Sequence, residues 1–173
     1  GFVQSLSRPG GNITGVHQLT DEAAGKRLEL LKELLPGLSR IAVLYDSSMP
    51  SGKRQFDKTE SAARTLRLPV QPIGLRAPYD YETAFKSVKT NKAVAMAVLF
   101  SPQFYLSRQR IADAALAQRL PTIFDESSNV RAGGLISYGP RTSGWQRASY
   151  FIDRILTGTR PNGLPVETPN VYS

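Results

Sequence analysis

Cysteine is absent from the 173 residues and histidine occurs once. Without thiols there is no disulfide framework, no thiol nucleophile and no cysteine metal site, and a single imidazole cannot assemble a zinc or copper cluster. Ser-His-Asp hydrolysis is equally ill served. No apolar run approaches the roughly 18 residues that span a bilayer as a helix, so a soluble chain is expected. The start, Gly1-Phe2-Val3-Gln4-Ser5, has neither the basic segment nor the apolar stretch of a secretory leader. It also has no initiator Met, which fits removal of a leader or of a longer preceding segment. Phosphate-gripping loops are missing too. Gly10-Gly11 followed by Gly15 is not G-x-G-x-x-G, and no G-x-x-x-x-G-K-[ST] run occurs, so nucleotide phosphate binding is disfavoured.

What is present describes one folded domain. Hydrophobic residues at 40% and charged residues at 21% are globular proportions, and the length suits a single core. The net charge of +8, from 22 Lys and Arg against 14 Asp and Glu, raises the question of a polyanion partner. Along the sequence the basic residues form only short groups, Lys26-Arg27, Lys53-Arg54 and Arg108 with Arg110, on expected helices. Aromatics are not interleaved with them as stacking platforms require, so no nucleic-acid partner is expected.

Short apolar runs alternate with amphipathic stretches. Strands are expected at Arg40 to Tyr45, Val70 to Leu75, Ala93 to Phe100, Pro121 to Phe124 and Gly134 to Tyr138. Three of these are apolar on both alternating faces, the mark of strands buried in a parallel sheet. The intervening helices show apolar positions at 3.6 spacing. Thr20 is the expected cap of the first, with Ala24, Leu28, Leu31 and Leu35 on one face up to Pro36-Gly37. The second, near Lys53 to Leu66, buries Phe56, Thr59, Ala63 and Leu66. Tyr81, Phe85 and Val88 mark a third, and Ile111, Ala114 and Ala115 the inner face of a fourth from about Gln103 to Arg119. A fifth, ending at Gly158, lines up Trp145, Ala148, Ile152 and Ile155. Strand-helix-strand repetition of this kind predicts a doubly wound α/β domain: a parallel five-stranded sheet with helices on both faces.

The two ends fit that unit less well. Residues 1–19 hold a turn, Arg8-Pro9-Gly10-Gly11-Asn12, and then an extended piece, Ile13-Thr14-Gly15-Val16, with no expected partner in the chain. The tail from Thr159 holds Pro161, Pro165 and Pro169, which favours an extended polyproline-like path. His17 reads as a surface or capping residue, Trp145 as core. Asn12-Ile13-Thr14 matches a glycosylation sequon, but a turn accounts for Asn12.

Ligands of open parallel sheets bind beyond the carboxyl ends of the strands, so the loops there are searched first. Asp46, Ser47 and Ser48 follow the first strand, at a helix start that favours anions. Ser101, Gln103, Phe104 and Tyr105 follow the third: a hydroxyl, an amide and two aromatic rings at a helix start. Asp125 and Glu126 follow the fourth, two carboxylates able to receive an ammonium or a sugar hydroxyl. Tyr138 closes the last strand. Each of these also has a plain structural reading as a helix cap, a core ring or a hinge. A phospho-acceptor receiver domain needs an Asp at the end of the third strand, where Phe100-Ser101 stands. No cofactor and no metal site are expected.

Several blocks resemble a known family. They are Leu6 to Gly15 (LSRPGGNITG), Gly25 to Leu34 (GKRLELLKEL), Pro36 to Leu44 (PGLSRIAVL) and Ala132 to Pro140 (AGGLISYGP). In order and spacing the chain is similar to the ABC-importer substrate-binding proteins related to tryptophan and tyrosine binders. The resemblance implies one lobe of a type I periplasmic-binding-protein fold. Residues 1–19 would then be a first-lobe remnant and hinge, 20–138 the second lobe, and 139–173 a returning first-lobe helix with an extended tail. It further implies no enzymatic activity, a small-molecule solute, an amino acid and by analogy an aromatic one, held between two lobes, ABC permease subunits as partners, and a periplasmic or extracytoplasmic location. Relatives with an acid after the third strand differ here, where Ser101 stands, which moves the ammonium partner toward Asp125 and Glu126. Surface meant for the absent lobe predicts exposed apolar area on the fifth helix and pairing of two copies through it. Two alternatives remain open: a repressor-type effector-binding domain, which a helix-turn-helix would precede, and a small α/β enzyme using Asp125 and Glu126 as acid and base.

Overall fold

The computed structural model describes residues 2–16, 23–140 and 144–168, without the side chains of 144–146. His17, Thr20 and Pro169 and the side chain of Trp145 lie outside the described residues. The chain divides into two compact units, Thr20–Gly139, and Gly1–Leu19 with Pro140–Ser173.

In the first of these, strands β1 (Ile41–Asp46), β2 (Val70–Leu75), β3 (Ala95–Val98), β4 (Thr122–Phe124) and β5 (Ile136–Ser137) form one sheet in the order β2-β1-β3-β4-β5. All pairs are parallel, with Ile41 opposite Val70 and Ala95, Met96 opposite Thr122, and Ile123 opposite Ile136. The central strands β1, β3 and β4 are buried on both faces, as their unbroken apolar runs require. β2 carries Pro72, which lacks a ladder N–H, and accordingly stands at an edge.

Because side chains alternate along a strand, each central strand feeds two cores. Ala42, Leu44, Met96, Val98 and Phe124 face helices α3 (Tyr81–Thr90) and α5 (Arg108–Ala117) through Phe85, Val88, Ile111 and Ala115. Ile41, Val43, Ala95, Ala97 and Ile123 face α1 (Ala24–Leu34) and α2 (Pro50–Thr65) through Leu28, Leu31, Phe56 and Ala63. The doubly wound sheet is thus covered on both sides.

Some elements depart from the expected ones. The helix expected from Gln103 to Arg119 is two, α4 (Pro102–Leu106) and α5, with a break at Ser107. Ser107 Oγ accepts from the Gln103 side-chain amide at 3.4 Å, and backbone bonds from Ser107 N to Gln103 O and from Ile111 N to Ser107 O link the two helices. α2 starts at Pro50 rather than Lys53, proline suiting the first helical turn. A short helix absent from the sequence reading, α6 (Ser127–Arg131), follows β4.

In the other unit, α7 (Gly144–Leu156) buries Phe151 but leaves Ile152, Ile155 and Leu156 exposed. Ile13–Val16, read as unpartnered, is in fact held by the tail: Val16 forms a parallel bridge with Glu167, and Glu167 N donates to Gly15 O at 2.9 Å. Pro161–Gly163 is a 3-10 turn rather than polyproline-like chain, since proline's fixed φ suits the first position of such a turn.

Candidate functional site

β1 and β3 are neighbours, yet the chain leaves β1 toward β2 on its other side. At this point the sheet order reverses, the place where open parallel sheets commonly bind ligands. Asp46 ends β1 there and is 2% exposed. Its Oδ1 accepts from Ser48 N at 3.0 Å and Ser48 Oγ at 2.5 Å. Its Oδ2 accepts from Tyr79 OH at 2.9 Å and Ser101 Oγ at 2.8 Å. Burial pushes this carboxyl up, but the bonds from Ser48, Ser101 and Tyr79 together outweigh it and hold the group below its ordinary value. Four donors occupy the carboxylate, so Asp46 braces the loops after β1, β2 and β3 and offers a ligand little accepting capacity.

The remaining strand-end candidates are sorted by the same geometry. Ser47 donates from both N and Oγ to Leu75 O, at 2.7 and 3.0 Å, tying β1 to the end of β2. Ser101, 1% exposed, also caps α4 by accepting from Gln103 N at 3.2 Å. The Gln103 amide is turned toward Ser107. Phe104 is core: 3% exposed, it meets Tyr79 and Tyr81 edge-on at 6.1 Å. The rings open to solvent nearby are Phe100 and Tyr105, 39% and 38% exposed; Tyr105 is the second ring read in this loop from the sequence, and Phe100 was not among the candidates. Tyr79 was missed as well, because the Pro78-Tyr79-Asp80 segment reads simply as a helix start.

At the end of β4, Asp125 is buried, and among the described residues no hydroxyl donates to its carboxylate. Desolvation raises its carboxyl to about 6, against the pull of the Arg27 guanidinium and with a further push from Glu126. Arg27, itself buried, reaches over from α1 and donates to Tyr138 O at 3.2 Å. Thus Tyr138 takes part through its carbonyl as an anchor for Arg27. A Cβ on Gly139 would stand 1.8 Å from Asp125 O, so glycine is needed where the chain leaves β5. Glu126 O receives both Asn129 N and Asn129 Nδ2, each at 3.2 Å, opening α6.

These residues border one crevice, lined by Ser101, Phe104, Tyr105, Asp125, Glu126 and Asn129 over a floor of β3 and β4. Its volume is about 10 Å³, room for a water and far less than the roughly 300 Å³ that small-molecule pockets begin at. The structure therefore brings Ser101, Phe104, Asp125 and Glu126 together, sets Asp46 one hydrogen bond behind Ser101, and leaves Ser47, Ser48, Gln103 and Tyr138 in supporting bonds at the flanks. Among the described residues no group of His, Asp and Glu could hold a metal ion, and no helix is long and apolar enough to cross a membrane.

This crevice, apolar in its floor with Asp125 and Glu126 at its rim, lies beyond the carboxyl ends of β3 and β4, where parallel sheets hold ligands. A family model described as ABC transporter substrate binding protein matches residues 1–172. The chain belongs to that family. It is 27% identical over 170 residues to a tyrosine-binding protein of Clostridioides difficile (strain R20291), covering 97% of the chain and 48% of the relative. In fold it is similar to an ABC domain from Streptococcus pneumonia solved in complex with L-Trp, at TM-score 0.81 and 24% identity, covering 99% of the chain and 59% of that structure. A conserved domain protein from Vibrio cholerae O1 gives TM-score 0.85 at 21% identity, covering 99% of the chain and 57% of that structure. The chain spans about half the length of the relatives it matches.

Proposed function

We propose that this protein is an extracytoplasmic solute receptor of an ABC importer, and that Thr20–Gly139 supplies one of two jaws that close on an aromatic amino acid and present it to the permease. The observation that carries the reading is the crevice between the ends of β3 and β4. It joins a buried carboxylate with a raised pKa, Asp125, to two solvent-facing rings, Phe100 and Tyr105. An α-ammonium adds a second cation beside Arg27 to a carboxylate that burial has stripped of water, and an aromatic side chain supplies the apolar face that the rings lack. Closure of a second wall removes water from both. The small volume supports a jaw rather than a complete pocket.

The test is amide chemical-shift mapping by NMR with millimolar L-tyrosine or L-tryptophan, with indole-3-propionate as an analogue lacking the ammonium. Shifts confined to Ser101, Asp125, Glu126 and Asn129 with the amino acids, and lost with the analogue, are the expected result. Equal shifts with the analogue, or none at this edge, would overturn the assignment.

A further inference from the structure

The opposite edge of the same sheet carries a second feature. Each helix runs back against the strands, so helices end where the next strand begins: α3 ends four residues before β3 opens, as does α5 before β4. α3 and α5 lie side by side on one face. Between their last turns is an open cleft of about 700 Å³ lined by Lys86, Lys89, Thr90, Ala117, Gln118 and Arg119. No carboxylate borders it. Lys86, Lys89 and Arg119 are exposed and make no ion pair among the described residues, although Asp80, at the other end of α3, feels the Lys86 charge.

Three helix ends at this end of the sheet repeat one pattern. α2, α3 and α5 each finish with a residue in the left-handed region, Arg67 at φ 53°, Lys92 at φ 59° and Arg119 at φ 53°. The accompanying bonds are those of a Schellman close: Leu68 N to Ala63 O, Ala93 N to Val88 O and Leu120 N to Ala115 O. Glycine is the unstrained residue at such a position. A cation favours the negative end of a helix dipole, which accounts for one basic residue at each end. It does not account for three cations around one cleft whose lining holds no carboxylate. Basic residues that are scattered in the sequence are gathered here by the topology, together with Arg40 at the start of β1.

We infer that the cleft between the carboxyl ends of α3 and α5 binds a phosphate group, free or borne on a lipid headgroup, through Lys86, Lys89 and Arg119. The Arg119 fork and two ammonium donors match the charge and the acceptor oxygens of phosphate, and the Gln118 amide adds a neutral donor at the rim, while the Thr90 hydroxyl is spent on Lys86 O at 3.2 Å.

The experiment uses this chain, a triple variant (Lys86→Gln, Lys89→Gln, Arg119→Asn), the single variant Lys86→Gln, and a charge-matched control at distant exposed positions (Lys26→Gln, Lys53→Gln, Lys58→Gln). Asparagine tolerates the left-handed backbone at 119. Inorganic phosphate is titrated at constant ionic strength with chloride, followed by thermal shift, and sedimentation is measured with vesicles of phosphatidylglycerol or of phosphatidylcholine alone. The expected result is a phosphate-dependent rise in Tm, or sedimentation with the anionic vesicles only, that survives in the control, weakens about tenfold in Lys86→Gln and vanishes in the triple variant. A phosphate response identifies the free anion as the source, and a vesicle response alone identifies the headgroup. Equal loss in the triple variant and the control would show diffuse charge and overturn the site, as would no response to either probe. The reading concerns the edge away from the solute crevice and stands or falls independently of it.

Discussion

Ser101 Oγ donates to Asp46 Oδ2 across 2.8 Å, joining the end of β3 to the end of β1 where the sheet order reverses. With Tyr79 and Ser48 on the same carboxylate, this bond sets the relative positions of three strand-end loops before any solute arrives. Preorganisation of that kind limits what a binding loop must lose in order to hold a ligand.

Asp46→Asn replaces one acceptor oxygen by a donor and leaves Ser101 or Tyr79 without a partner in a buried site. The expected loss is about 3 kcal/mol at neutral pH. The folded-state pKa lies below the unfolded value of 3.8, so the carboxylate contributes stability above about pH 4 and loses it as pH falls through the folded pKa. Urea unfolding should therefore show the gap between wild type and Asp46→Asn narrowing toward pH 3. A gap independent of pH would mean that the charge is not what the four donors stabilise.

Gly52 tests how tightly α2 is seated on that loop. Within a helix, Gly→Ala ordinarily stabilises by roughly 1 kcal/mol. Here the added Cβ would stand 2.1 Å from Asp46 O, a backbone atom that cannot rotate away. The sign should reverse, with a loss of about 3 kcal/mol and a Tm lower by about 6–12 °C. A neutral or stabilising result by calorimetry would show that the strand end yields.

The parallel sheet was legible because burial on both faces leaves unbroken apolar runs such as Ile41 to Leu44, and the helix stripes because Leu28, Leu31, Phe56, Ala63, Phe85 and Val88 keep a 3.6 period. α6 escaped because five residues are too few to show a period. In the site, residue type and position beyond a strand named Asp46, Ser101, Asp125 and Glu126. They could not say that Asp46 is saturated by its neighbours while Asp125 is not, since that depends on Tyr79 and Arg27 arriving from other elements. Phe104 and Phe100 differ only in which way the chain turns after β3: one joins the core and the other faces water.

Asp125 should behave in the opposite sense to Asp46. Its folded pKa of about 6 lies above the unfolded 3.8, so the ionised form costs stability. That cost is absent below about pH 4, grows between pH 4 and 6, and is complete near pH 7 at about 3 kcal/mol. Asp125→Asn is expected to match wild type at pH 3.5 and to exceed it by up to that amount at pH 7.5, read by chemical denaturation. Equal stability at both values would place the carboxylate in contact with water or in a full pair with Arg27.

The same carboxylate governs how the jaw meets a solute. Micromolar binding corresponds to about 8 kcal/mol, and a single wall makes about half the contacts of a closed site, so this chain should bind L-tyrosine or L-tryptophan at millimolar strength. An ammonium beside Asp125 favours the ionised form and draws its pKa below 6, so binding at pH 5 expels a proton that binding at pH 8 does not. Affinity should then fall by about tenfold per pH unit below 6 and be flat above 7, while Asp125→Asn should be weak and flat throughout. Titration by NMR across pH 4.5–8 distinguishes the two profiles. Micromolar affinity for this chain alone would sink the one-jaw reading, and a wild-type profile without a break near pH 6 would remove Asp125 from the ammonium.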